Sequence, residues 1–225
     1  MSETWQGHTP KGYDENSFGN FQLDVGEFHH NLDWTKLKPN SDSKDLAEFL
    51  RDPENRKHFF GATEGSGSFS ANAEYRDVTA DNVLVPLGRM IQSVEISLST
   101  EVKEFKVETF KLAIPTMFED NDGWLSATTT LLPEHYIKNV SWAGRLGDGR
   151  IAVIIIYNAI NTNGLNITFN NQGEGTVALE FHANSTGDNV FPFRMRIFPL
   201  PYDETGQSTT GLKAESPSYS DGGLD

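Results

Sequence analysis

Apolar and polar residues alternate along much of this chain, and an alternation with a period of two predicts β-strands. The clearest example begins at Val94, where one face is apolar and the other is polar. The apolar face carries Val94, Ile96, Leu98, Thr100 and Val102, and the polar face carries Glu95, Ser97, Ser99, Glu101 and Lys103. A strand of this kind covers a core with one face and presents the other to water.

Other segments read as strands by the same pattern or by continuous apolar character. Ile151–Tyr157 is apolar throughout, which predicts a strand buried on both faces. Gly147-Asp148-Gly149-Arg150 before it has the composition of a hairpin turn. The remaining predicted strands are residues 21–34, 69–75, 136–146, 165–170, 176–183 and 191–198.

Two short segments have helical spacing instead. Ser43–Leu50 places Leu46, Phe49 and Leu50 on one stripe, and Asp52-Pro53 ends it. Val107–Ile114 places apolar residues on one face and stops at Pro115. Because strands cluster rather than alternate with helices, the chain is predicted to be mainly β, an antiparallel β-sandwich with a small flanking helix.

Three segments show no such periodicity. Residues 1–20 are predicted to be an N-terminal arm, residues 76–89 a long exposed loop, and residues 203–225 a flexible tail, rich in Ser, Gly and Asp. The domain between the termini is expected to span 21–202. A loop of this length inside a compact domain is uncommon unless it has a function.

Composition narrows the possible functions. The 225 residues carry a net charge of −14, which argues against a surface that grips nucleic-acid phosphates or anionic membranes. The absence of cysteine excludes disulfides, thiolate nucleophiles and cysteine-ligated metals. The longest apolar run, Ile151–Tyr157, is too short to span a bilayer, and the first residues do not resemble a secretory signal. Only 36% of residues are hydrophobic, so part of the chain is expected either to be disordered or to pack only against neighbours.

The sequence contains few candidate motifs for catalysis or ligand binding. Neither a phosphate-binding loop, nor a dinucleotide fingerprint, nor a GxSxG elbow is present. His29 and His30 would point to opposite faces of a strand, so all six histidines are expected at surfaces or interfaces. Asp120-Asn121-Asp122-Gly123 resembles the start of a calcium loop but is better explained as a polar turn. No catalytic residue, metal site or cofactor is predicted.

Two longer stretches carry a resemblance. The first runs from Gly61-Ala62-Thr63-Glu64-Gly65 through Glu74-Tyr75-Arg76-Asp77 and Gly88 into the strand 91–103 and the helix Val107–Ile114. The second contains Trp142-Ala143-Gly144, Ile151–Ile156, Gly164–Thr168, Gly173-Glu174-Gly175 and Leu179-Glu180-Phe181. In their order and spacing, over roughly residues 60–205, they resemble the major tail tube proteins of long, non-contractile-tailed bacteriophages, particularly those of Gram-positive hosts. Residues 43–60 depart from that pattern and look like an insertion.

The resemblance implies a barrel-forming tail tube fold and a structural, non-enzymatic role in the virion tail, assembled in the host cytoplasm. Subunits of this family join in rings, usually sixfold, which stack into a tube through which DNA is ejected. By the same resemblance the partners are other copies of the chain, a tape measure protein, a tail terminator and a distal tail protein. DNA would pass without specific binding, and no membrane is involved.

Two sets of residues are candidates for that role. The loop is expected to contact the next subunit or ring, and its candidates are Arg76, Asp77, Val78, Asp81, Val83, Val85, Leu87 and Arg89. Glu95 and Glu101, on the polar face of the clearest strand, are candidates for a lumen-facing acidic wall. Two alternatives stay open, a β-sandwich module for carbohydrate binding or surface decoration, with the tryptophans as a platform, and a hydrolase using paired carboxylates.

Overall fold

The computed structural model describes residues 22, 26–79, 87–169, 174–185 and 192–201. The predicted arm (1–20), the predicted tail (203–225) and the middle of the predicted loop lie outside these residues. The described chain is mainly β, as predicted, with few helices.

The strands are β1 Glu27–His30, β2 Thr63–Val78, β3 Gly88–Val102, β4 Met117–Glu119, β5 Leu125–Ala127, β6 Ile137–Arg145, β7 Ile151–Asn161, β8 Asn166–Thr168, β9 Thr176–Ala183 and β10 Phe193–Phe198. The helices are α1 Ser43–Arg51, α2 Pro53–Arg56 and α3 Val107–Ala113.

All strand pairs are antiparallel, and all strands except the β4–β5 hairpin belong to one sheet. One edge of β7 pairs with β6. Its other edge is shared, because β10 pairs with residues 151–156 and β9 pairs with residues 159–161. The sheet therefore divides at β7 into two layers. The first layer contains β2, β3, β9 and β8, and the second contains β1, β6, β7 and β10.

The main core lies between these layers. It joins Ile96, Leu98 and Val102 of β3 with apolar residues of β9, β6 and β7, and α3 closes it with Leu112 and Ala113. Burying the inner faces of two sheets against each other is the arrangement of a β-sandwich. The alternation beginning at Val94 is explained by this core, since every second residue from Ile96 to Val102 is buried.

A second apolar cluster covers the opposite face of the second layer. Leu46 and Leu50 of α1 pack there with Val153 and Ile155 of β7, while Ile156 of β7 faces the main core. Because β7 has apolar neighbours on both faces, its residues need not alternate, and the prediction of a strand buried on both sides is confirmed. The helix predicted at Ser43–Leu50 is also confirmed. Its N-terminus has a capping box in which the Asp42 carboxylate accepts hydrogen bonds from the backbone N–H groups of Lys44 and Asp45.

The two layers approach closely where β2 crosses the second layer. The Phe28 ring of β1 lies directly against Gly67 of β2, and a Cβ atom at residue 67 would stand 2.3 Å from Phe28 Cζ. Further along β2, the rings of Phe69 and Phe193 have centroids 5.5 Å apart. Beyond Ser70, β2 and β3 continue together as a two-stranded hairpin, because β9 pairs with β3 only from Ser97 to Val102.

Three predictions from the sequence need correction. The predicted loop 76–89 is shorter, because Arg76, Asp77 and Val78 belong to β2, and Arg89 belongs to β3. Of the predicted strand 21–34, the described residues form only β1, which ends where Asn31 adopts a φ of 52°, a left-handed conformation that Asn tolerates. His29 is not at a surface, because its side chain is fully buried.

Candidate functional site

The outward face of the first layer is the main polar surface of the described sheet. Cross-strand partners share a face, so the register places Ser68, Ser70 and Asn72 of β2 beside Ser99, Ser97 and Glu95 of β3. The same register places Glu180 and His182 of β9 beside Ser99 and Ser97. We call this surface the polar face. It consists of Glu64, Ser68, Ser70, Asn72, Glu74, Ser93, Glu95, Ser97, Ser99, Glu101, Ala178, Glu180 and His182.

Carboxylates dominate the charge of the polar face. Glu64 and Glu101 are directly opposite each other on β2 and β3. His182 lies between two glutamates, with Nδ1 3.4 Å from Glu95 Oε1 and Nε2 3.4 Å from Glu180 Oε1. Both predicted lumen candidates, Glu95 and Glu101, are on this face and are exposed. The structure therefore brings them together with acidic residues that the sequence pattern did not group with them.

The positive charge beside the polar face is held in ion pairs. Lys103, at its edge, lies 2.8 Å from Glu174 Oε2 and 3.7 Å from Glu64 Oε1. The hydrogen bond with Glu174 raises the pKa of Lys103 and lowers the pKa of Glu174. Over Glu64–Glu74, Ser93–Glu101 and Ala178–His182, no Lys or Arg projects from the polar face.

The hairpin beyond the polar face holds the described part of the predicted contact loop. Arg76, Asp77 and Val78 pair with Met90, Arg89 and Gly88, and Arg89 Nε lies 3.2 Å from Asp77 Oδ1. The backbone N–H of Leu87 donates to the carbonyl of Val78 at 2.8 Å and closes the hairpin. The other candidates, Asp81, Val83 and Val85, lie outside the described residues.

Large apolar side chains on this hairpin are exposed. Tyr75 and Ile91 face each other across the two strands, and they are 61% and 60% exposed. Leu87, Met90 and Val94 are also about half exposed or more. A two-stranded hairpin is marginally stable alone in water, and clustered exposed apolar groups mark contact surfaces. The hairpin thus has the chemistry of an interface.

The other chemical candidates do not form a metal site in the part of the chain that is described. No three His, Asp or Glu residues there are close enough to share a metal ion. Asp120–Gly123 is a polar turn, as predicted, since Asp120 Oδ1 accepts hydrogen bonds from the N–H groups of Asp122 and Trp124. This turn joins β4 and β5, a hairpin that the sequence pattern missed because each strand has only three residues.

The tryptophans do not form a shared platform. Trp142 packs against the main core, and Trp124 is exposed on the β4–β5 turn. The Trp34 ring lies tilted against Phe49, with 5.5 Å between the ring centroids. Trp5 lies outside the described residues. Within the described helices, none is both long and apolar enough to cross a bilayer.

Comparisons with known proteins give little further information. No protein-family model matches the chain, and no curated protein matches it. Among solved structures, it is similar to a chain of the virion of a native gene transfer agent particle, with 15% sequence identity and a TM-score of 0.33. That match covers 60% of this chain and 85% of the other. A similarity this distant does not assign the chain to a family.

Proposed function

We propose that this protein is a structural, non-enzymatic subunit of a phage-like virion, and that its copies form rings that stack into a tail tube. The polar face of each copy lines the bore. The observation that carries the proposal is this face, where glutamate, serine and asparagine cover three adjacent strands, and where the lysine at its edge, Lys103, is held in ion pairs with Glu64 and Glu174.

Such a surface suits a channel that DNA passes through without binding. Protein affinity for DNA comes largely from contacts between Lys or Arg side chains and phosphates. The three strand segments that form the polar face contain neither Lys nor Arg. Repulsion between carboxylates and phosphates acts within about 8 Å of the wall at physiological salt. Glu95, Glu101 and Glu180 supply the negative charge, and the serines supply neutral hydroxyl groups that hold water.

The first layer also has the edges that ring closure requires. Within the described residues, β2 pairs only with β3, and β8 pairs only with β9. Unpaired strand edges promote pairing with another chain, and closing the sheets of several copies into one barrel removes those edges. We propose that β2 of one copy and the β8 side of the next approach each other around the ring.

The other partners follow from the resemblance described above. A tube of this type would meet a tape measure protein in its bore, a tail terminator at one end and a distal tail protein at the other. The assembled protein would be located in the virion tail, after assembly in the host cytoplasm.

Electron microscopy of the purified full-length protein tests the proposal. We expect rings or tubes with a central bore in negative stain, increasing with protein concentration. Particles that remain monomeric up to millimolar concentration would contradict it. Glycan binding that is lost in W124A, without any assembly, would favour the carbohydrate-binding alternative instead.

A further inference from the structure

We infer that successive rings contact each other through two opposite ends of the first layer, which we call the head and the foot. The head is the outer part of the β2–β3 hairpin, residues 75–79 and 87–91. The foot is the β4–β5 hairpin together with Phe105 and Phe169. This inference rests on the proposed function and adds which surfaces of neighbouring copies meet.

The two surfaces lie at opposite ends of β3. The head contains Gly88, where β3 begins, and β3 ends at Val102, next to Phe105. Fifteen residues of extended strand span about 50 Å. Phe169 directly follows β8, whose last residue, Thr168, pairs with Thr176 beside that same end. Helix α3 begins at Val107, shortly after the end of β3. Lys111 Nζ of α3 lies 3.6 Å from Glu119 Oε2 of β4, so the β4–β5 hairpin lies beside α3.

Both surfaces expose large apolar side chains. In the head, Tyr75, Leu87 and Ile91 are each at least 60% exposed. In the foot, Trp124 is 74% exposed and Phe169 is 84% exposed, with Phe105 and Phe118 nearly half exposed. Two different apolar surfaces at opposite ends of one molecule allow a head-to-foot contact, which repeats without closing and therefore builds a filament.

Charge favours a second copy as the occupant of each surface. The foot hairpin Met117–Ala127 contains Glu119, Asp120 and Asp122 and no Lys or Arg. Asp122 has no cationic partner among the described residues. At the head, Arg89 is paired with Asp77, whereas Arg76 has no carboxylate partner in the described part of the chain. Glu119 of the foot pairs with Lys111, so the complementary groups are Arg76 at one end and Asp122 at the other.

Removing the exposed aromatic group tests the apolar half of the contact. We expect W124A to form rings that fail to stack, with tube length in electron micrographs reduced at least tenfold. The matched control is I197A, an exposed apolar residue on β10, outside both surfaces, which should give tubes of normal length. Normal tubes from W124A, or an equal loss in I197A, would overturn the inference.

A charge exchange tests the pairing itself. R76D and D122R should each shorten the tubes, and the double variant should restore them, because the opposite charges then face each other again. A double variant no longer than either single variant would overturn the inference. Because Trp124, Arg76 and Asp122 are all exposed, the melting temperature of each variant should match that of the wild-type protein.

The wild-type protein separates the failure of this inference from the failure of the proposed function. If the wild-type protein forms neither rings nor tubes, the proposed function fails. If wild-type tubes form and all variants match them, only this inference fails.

Discussion

At the scale of single residues, the packing of the two layers depends on a missing side chain. Phe28 is 1% exposed, and its ring occupies the space in which Gly67 would carry a Cβ atom. The carbonyl oxygen of Ser99 stands 3.0 Å from the same position, so neither neighbour can move freely. The glycine is therefore required for the close approach of β1 and β2.

We expect G67A to lower the free energy of unfolding by about 1–3 kcal/mol, the usual cost of overfilling a packed core. Urea denaturation measures this change. G88A is the matched control, because among the described residues no heavy atom beyond its chain neighbours lies within 4 Å of a Cβ at residue 88, and it should stay close to wild type. Equal stability of G67A and wild type would contradict the account of this contact.

His30 gives the fold a dependence on pH. Burial, together with the neighbouring His58 and His29, lowers the pKa of His30 to about 4. The unfolded chain, with a histidine pKa near 6.5, binds more protons between these values, so stability falls as pH drops below about 6.5. We expect a loss of about 2 kcal/mol between pH 7.5 and pH 5.0.

Urea denaturation of wild type and H30F across this range tests the assignment. H30F keeps an aromatic ring beside Phe60 but cannot be protonated, so its stability should change less between pH 7.5 and pH 5.0. The same loss in both proteins would show that another group is responsible.

Sequence reasoning at this scale succeeded for exposed residues and failed for buried polar ones. The alternation beginning at Val94 was enough to predict that Glu95 and Glu101 share a polar face. It gave no indication that His29 is buried, because its burial depends on Phe59, which is distant in sequence and lies 5.4 Å away between ring centroids. Nor did it group Glu180 with Glu95, since that neighbourhood depends on the pairing of β3 with β9.

At the scale of elements, the β2–β3 hairpin is the part that the fold itself does not require. Its outer residues contribute no side chain to either apolar cluster. The sequence predicted a loop there because Asp77, Thr79, Pro86 and Gly88 are residues typical of turns. The strands continue through this segment because backbone pairing and the Asp77–Arg89 ion pair extend the ladder beyond the core.

Replacing residues 79–87 with Asn-Gly, which keeps Val78 opposite Gly88, should therefore leave a folded monomer that does not form tubes. Asn-Gly is the preferred two-residue hairpin connection, so the shortened strands can still pair. Circular dichroism and gel filtration check the fold, and electron microscopy checks the assembly. Tubes of normal length from this variant would rule out the hairpin as a contact.

The segment 43–60, which departs from the resemblance, has a structural explanation. It contributes Leu46 and Leu50 to the second apolar cluster, and the N–H of Phe60 donates to the carbonyl of Phe28 at 3.0 Å. The helix was predictable from its cap and its apolar stripe. Its position over β7 was not, because no local pattern shows which sheet face is uncovered.

At the scale of the whole molecule, the described residues form a closed core and leave several surfaces that none of them covers. The polar face, the head, and the edges of β2 and β8 that have no partner among the described residues belong to the first layer, and the foot adjoins one end of that layer, while α1 covers the outer face of the second. A modest hydrophobic content is consistent with a subunit that completes its packing in an assembly. This uneven distribution is the structural basis of the proposed tube.

A three-dimensional reconstruction of the assembled protein by electron cryo-microscopy would show which surface of the subunit lines the bore. We expect a tube whose bore is lined by the β2–β3–β9 surface, with Glu95 and Glu101 facing the axis. An assembly in which this surface lies on the outside, or is buried between copies while α1 faces the bore, would contradict the account.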